Sequence, residues 1–155
     1  MKTAEPCGSE ALVNASLVPS EAKGTGPAWE QSTFARSDRP ASWYSKACGV
    51  LDQLYGLRSN WDSYGADAVA PESIEQSRQL LTDLAYVVGV PEPVVTATPD
   101  GHVGMCWDTG AWSLDLEVSP TGLISFVYLD ESDPRRERES KTRSLGELIA
   151  LLTQW

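Results

Sequence analysis

One histidine, His102, stands in the whole chain of 155 residues. Imidazole is the only side chain whose ordinary titration spans neutral pH, so any histidine-dependent base or metal site would have to be built around that single residue. Cysteine is almost as scarce: Cys7, Cys48 and Cys106 are odd in number, widely spaced and form no CxxC pair. That pattern argues against a zinc cluster and against a disulfide framework, and it fits a reducing cytoplasm. Cys48, on a helix among mostly apolar neighbours, is expected to be a buried, inert thiol. No stretch approaches the roughly 20 apolar residues of a membrane span. The first twenty residues place Glu5, Pro6 and Glu10 ahead of any apolar run, which argues against a signal peptide. GxSxG, P-loop, GxGxxG and HExxH signatures are all missing, and nothing names a cofactor or a metal.

Positive charge is the other deficit. Twelve Lys and Arg face 22 Asp and Glu, for a net charge of −10. From Ala41 to Pro134 the chain holds fourteen carboxylates and only Lys46, Arg58 and Arg78 as bases, a local charge of −11. A body this anionic repels phosphate, so nucleic acid is disfavoured and a basic protein is the favoured partner.

What is abundant is periodic. Residues 1–40 are rich in Pro, Gly, Ser, Thr and Ala and read as a flexible or loosely docked arm, with Trp29 and Phe34 as possible clips. Residues 41–155 read as one acidic domain. Trp43, Ala47, Val50, Leu51, Leu54 and Leu57 recur at helical spacing, so a helix is expected over 43–57 with Ser42 as its cap. A second helix is expected from Pro71 to Val88, buried along Ile74, Leu81, Leu84, Ala85 and Val88, and stopped by Gly89 and Pro91. The period then changes to two. Strands are expected over 94–98, 102–107, 112–118 and 123–129, joined by turns at Pro99-Asp100-Gly101, Asp108-Thr109-Gly110 and Ser119-Pro120-Thr121-Gly122. Residues 130–143 read as a charged linker, with an arm folding back on the acidic sheet as the alternative, and Ser144 and Glu147 match a capping box that opens a helix over 144–155.

The fold class that follows is α+β: a two-layer sandwich with a four-stranded antiparallel meander covered on one face by helices, in the order α-α-β-β-β-β-α. Pairing Trp107 with Trp112 sets Met105 opposite Leu114 and Val103 opposite Leu116 on the covered side. On the wet side the same pairing sets Cys106 opposite Ser113, Gly104 opposite Asp115 and His102 opposite Glu117. A slip of one residue would bury Asp115 and Glu117, which their charge forbids. The wet face is then expected to carry His102, Ser113, Asp115 and Glu117, with Asp108 and Asp130 near its ends. It serves either solubility alone or the docking of a basic partner. A catalytic carboxylate pair is the remaining alternative, because Asp115 and Glu117 lie about 6–7 Å apart along a strand. His102 and Cys106 share a face but stand about 13 Å apart, too far for a dyad. The expectation is a non-enzyme.

Between the helices lies Asn60-Trp61-Asp62-Ser63-Tyr64-Gly65-Ala66, a loop with two aromatics, an Asx-turn aspartate and a left-handed glycine. Trp61 is expected to pack under the helices and Asp62 to bind nearby backbone amides; exposed Asp62 and Tyr64 are also candidates for partner recognition. The run NWDSYGADAVAPESIEQSRQLL resembles the NWDGYGA-type opening of a family of small bacterial and phage proteins with no established function. In these the motif precedes a proline-started helix and a strand-rich segment with a D-G turn and a tryptophan, here Pro71, Asp100-Gly101 and Trp107. The resemblance covers roughly residues 50–130, with Ser63 where the motif usually carries glycine. It implies no activity, cofactor or catalytic residue.

The functional expectation is a small cytoplasmic interaction protein that inhibits or neutralises a basic protein, as an antitoxin, immunity protein or phage inhibitor would. A structural or adaptor domain working through its aromatic loop or by self-association, and a small carboxylate-dependent hydrolase, are the alternatives.

Overall fold

The computed structural model describes residues 34–153. Expectations that concern residues 1–33 and the last two positions, Trp29 among them, lie outside the described residues. The elements run α1 (Tyr44–Leu54), α2 (Pro71–Ala85), β1 (Val94–Ala97), β2 (Val103–Asp108), β3 (Trp112–Val118), β4 (Ile124–Asp130), a short 3-10 turn (Pro134–Arg136), β5 (Arg138–Thr142) and α3 (Leu145–Leu152). The sheet is an antiparallel meander in the order β1-β2-β3-β4-β5. The architecture is α+β with five strands, not four. The segment expected to be a linker supplies the fifth.

The cause lies in β5's position. Among the described strands it pairs with β4 only and forms an edge, and Arg138, Glu139 and Lys141 are tolerated there because they stand exposed to water. Thr142 alone is buried. Four arginines around the strand are held in place: Arg135 by Asp133, Arg136 by Asp130, Arg138 by Glu147, and Arg143 by the Thr121 carbonyl.

One face of the sheet is sealed. Val103, Met105, Trp107, Leu114, Leu116, Val118, Phe126 and Tyr128 are buried with Leu51, Ile74, Leu81, Leu84, Leu148, Ile149 and Leu152 of the helices in a single core. Trp107 donates its indole N–H to the Pro91 carbonyl at 2.9 Å and Trp43 donates to Val90 at 3.1 Å, so both large rings bury without orphaning their one polar atom. Arg78 bonds Asp52 at 2.8 Å and the Tyr44 hydroxyl meets Thr82 at 2.7 Å, bracing α1 against α2.

Both long helices end sooner than their periodicity suggests. Beyond Leu54, Gly56 and Leu57 bond three residues back, to Gln53 and Leu54, and the chain tightens and leaves the helix. Trp43 occupies the cap position that was expected of Ser42, and it makes no side-chain cap bond. Beyond Ala85 the backbone is claimed by the arm: Ser37 donates to Tyr86 and Val88 donates to Ala35, each within 2.9 Å. Val88 therefore leaves the buried stripe and stands 54% exposed. The 34–40 stretch is thus docked, with Phe34 packed on the core. Ser144 caps α3 as expected, accepting from the Glu147 amide.

Cys48 is buried, yet it is disulfide-bonded and not a thiol. The cysteines therefore give no support to a reducing compartment. No described helix is long and apolar enough to cross a membrane.

Candidate functional site

No described helix or strand covers the face opposite the helices, and its composition follows from the period-two alternation of each strand. Across it run three rows: Val94, Cys106, Asp115, Val127 and Glu139; Thr96, Gly104, Glu117, Ser125 and Lys141; and Asp108, Ser113 and Leu129. Asp108 and Asp115 are exposed, and Ser113 and Glu117 are half-buried. Four carboxylates thus share this surface with one base, Lys141.

The β3–β4 register matches expectation, with Val118 opposite Ile124, Leu116 opposite Phe126 and Leu114 opposite Tyr128. The β2–β3 register is displaced by two: Asp115 faces Cys106, Glu117 faces Gly104, and Trp107 faces Leu114. The turn is tighter than a Trp107–Trp112 pairing requires. Gly110, at φ 84°, lets Thr109 donate to the Trp112 carbonyl at 3.0 Å and so extends the ladder past Asp108. An even displacement keeps every side chain on its own face, which is why the acidic surface survives it. His102 still reaches Glu117, now as a diagonal neighbour, with Nδ1 3.5 Å from Oε1.

Between β3, β4 and β5 the surface dips into a shallow open depression of about 510 Å³, walled by Asp115, Glu117, Glu139 and Lys141 and floored by Ser125 and Val127. Glu139, Lys141 and Val127 were not among the sequence candidates. The signal for them is faint: a five-residue run between Pro134 and the Ser144 cap whose charges alternate in no hydrophobic frame. Cys106, one strand away, has its thiol pushed above its ordinary range, first by burial and then by the Asp115 and Asp108 carboxylates. It is therefore a poor nucleophile at neutral pH.

Asp130 is not part of this face. It lies on the covered side opposite Trp112, its side chain only 5% exposed. Its Oδ1 accepts from the Ser132 hydroxyl at 2.6 Å and from the Ser132 and Asp133 amides, while Oδ2 meets Arg136 at 3.1 Å. Those bonds, Ser132 first, hold its carboxyl below the ordinary value of 3.8, and Arg135 does the same for Asp133. A lowered folded-state pKa stabilises fully above the unfolded value and is lost as pH falls through the folded one. In a Tm-versus-pH series the wild type should therefore lose stability below about pH 4, and Asp130→Asn should show a shallower acid slope.

The second candidate surface is the Asn60–Ala66 loop. Asp62 binds backbone as expected: Oδ1 accepts from Tyr64 at 2.8 Å and Ala66 at 3.1 Å. Asn60 Oδ1 takes the Gly65 amide at 2.7 Å. Trp61 is half-buried and outside the core, and it donates to the Asp67 carbonyl at 3.0 Å. The loop docks on the β1–β2 turn through Asp67 to Pro99 and Ala70 to Gly101, both 2.8 Å, and a Cβ on Gly101 would sit 2.8 Å from the Ala68 oxygen. Tyr64 projects from this frame at 92% exposure. Ser63 has φ 68°. Ser63→Gly should stabilise the domain by about 0.5–1 kcal/mol in urea denaturation, the left-handed strain outweighing the added unfolded-state freedom.

Asp62 and Tyr64 thus belong to one surface, and His102, Asp108, Ser113, Asp115 and Glu117 to another. Among the described residues no group of three or more His, Cys, Asp or Glu is arranged to hold a metal ion. Comparison of the chain with protein-family models, curated proteins and solved structures finds no match.

Proposed function

We propose that the chain is a non-enzymatic interaction domain that binds a basic protein through the open sheet face and thereby inhibits or neutralises it. The observation that carries this reading is the sheet face that no described element covers, where Asp108, Asp115, Glu117 and Glu139 flank apolar Val127 and Leu129 on a body of charge −11. Carboxylates around an apolar strip match a partner with lysines or arginines around an apolar centre. The partner's cationic side chains would enter the depression beside Asp115 and Glu117, with their alkyl stems over Val127. Such a pair associates with electrostatic steering, so its association rate should fall steeply between low and physiological salt. The test is immobilised capture at low salt, run in parallel on the wild type and on Asp115→Lys/Glu117→Lys. A basic protein retained by the first, released by salt and absent from the second supports the reading; one retained equally by both overturns it.

Tyr64 favours a second reading. A fully presented aromatic on a hydrogen-bonded loop is a pre-ordered contact, and an adaptor role through that loop would make Tyr64→Ala the damaging substitution.

A further inference from the structure

The sheet ends in two unlike edges. β1 reads Val-Val-Thr-Ala and carries no charge. β5 reads Arg-Glu-Ser-Lys-Thr, with Arg138, Glu139 and Lys141 exposed. Charges on an edge commonly deter strand pairing. The order of these charges does something different.

Hydrogen-bond phase decides which β5 groups look outward. Ser119 donates to Leu123 and Glu131 donates to Ala111, so in β4 the odd-numbered residues exchange bonds with β3. The even-numbered Ile124, Phe126 and Tyr128 then bond to their β5 partners Thr142, Ser140 and Arg138. The backbone N–H and C=O groups of Glu139 and Lys141 are left pointing away from the sheet. Their side chains lie on the open face, in the rows of Val127 and Ser125.

A second β5 laid antiparallel against this edge can match outward groups to outward groups in three ways. Glu139 against its own copy sets like charges together, and so does Lys141 against its own copy. The third register is centred on Ser140 and places Glu139 opposite Lys141 twice over. It alone satisfies both the ladder and the charges. The same register brings Glu137 opposite Arg143 at either end.

We propose that two copies of this chain associate through β5, antiparallel about Ser140, to make one ten-stranded sheet. The contact is isologous, with Glu139 of each copy facing Lys141 of the other. It goes beyond the partner reading above and does not depend on it. The two open faces would then form one continuous acidic surface. This rim suits self-association because the chain is least acidic here: after Pro134 it holds five bases and three acids. A single short strand covers less than the roughly 1,200 Å² of a stable interface, so the association is weak and reversible, with a dissociation constant of about 0.01–1 mM.

Sedimentation equilibrium from about 10 μM to 1 mM, in about 0.15 M salt so that the bodies' net charges are screened, reads it directly. Wild type should dimerise over that range. Glu139→Lys and Lys141→Glu should each weaken the dimer at least about fivefold, and the double reversal should restore it, because opposite charges again face each other across the seam. All these side chains are exposed, and circular dichroism checks that the variants fold. Amide hydrogen exchange gives an independent reading: the Glu139 and Lys141 amides should slow with protein concentration, whereas the Arg138 and Ser140 amides, already bonded to β4, should not change. A monomer at the highest concentration, a dimer indifferent to the single reversals, a double reversal that fails to restore it, or unprotected Glu139 and Lys141 amides would each overturn the proposal.

Discussion

Trp107→Ala should lower the unfolding free energy by about 3–5 kcal/mol, the range for deleting a fully buried aromatic ring. The ring is 2% exposed, at the middle of the sealed face opposite Leu114. Its removal opens a cavity under the helices and also takes from the Pro91 carbonyl the indole donor that bonds it at 2.9 Å. Trp107→Phe keeps most of the volume and removes the hydrogen bond, for a loss nearer 1–2 kcal/mol, so the difference between the two variants separates packing from polarity. A domain of this size has about 5–15 kcal/mol in total, so the alanine variant should be largely unfolded in mild urea. Midpoints from urea titrations followed by far-UV circular dichroism measure both. A loss below about 2 kcal/mol for the alanine variant would mean that the helices do not seal that face.

The second large effect is on association. Asp115→Lys with Glu117→Lys replaces two carboxylates at the lip of the depression by two cations, while leaving the covered core untouched. Once a partner has been captured, the variant should bind it at least tenfold more slowly at low salt, out of the 10–10³-fold that steering provides. The gap between wild type and variant should close as salt is raised. The control is Glu72→Lys, at the start of α2 on the opposite layer. It should change the rate by no more than about twofold if proximity to the face matters, as screening over about 10 Å predicts. Glu72→Lys changes the net charge by half as much, so a loss half as large as the double variant's on a logarithmic scale would mean that net charge alone sets the rate.

Much of this arrangement was legible in the chain because burial imposes a period. Trp112–Val118 alternates apolar and polar without a fault, and its bounds, its faces and its pairing with β4 all follow from that alternation. The Ser119–Gly122 turn was legible for the same kind of reason: Gly122 takes φ 84° and donates to Ser119, as a glycine bulge requires. β5 was not legible because an edge strand with water on its outer side has no apolar frame to display. The β2–β3 displacement escaped because two registers that differ by an even number bury the same residues, and only the turn's hydrogen bonds distinguish them. Helix ends were misjudged where tertiary partners, such as Ala35 and Ser37 at the end of α2, took over carbonyls and amides that periodicity assigns to the helix. Of the open-face candidates, Ser113, Asp115 and Glu117 stood where alternation put them. Asp130 did not, because its carboxylate is consumed by its own turn.

The last helix has one more implication. Leu148, Ile149 and Leu152 are fully enclosed, and they come from the final described element of a chain whose strands otherwise pair with their sequence neighbours. During synthesis the meander can therefore assemble hairpin by hairpin against α1 and α2, which are made first, and only the arrival of Leu145–Leu152 completes the seal. Any chain halted before that point displays a wet acidic sheet above and an incompletely sealed apolar side below, the form most exposed to proteases and chaperones.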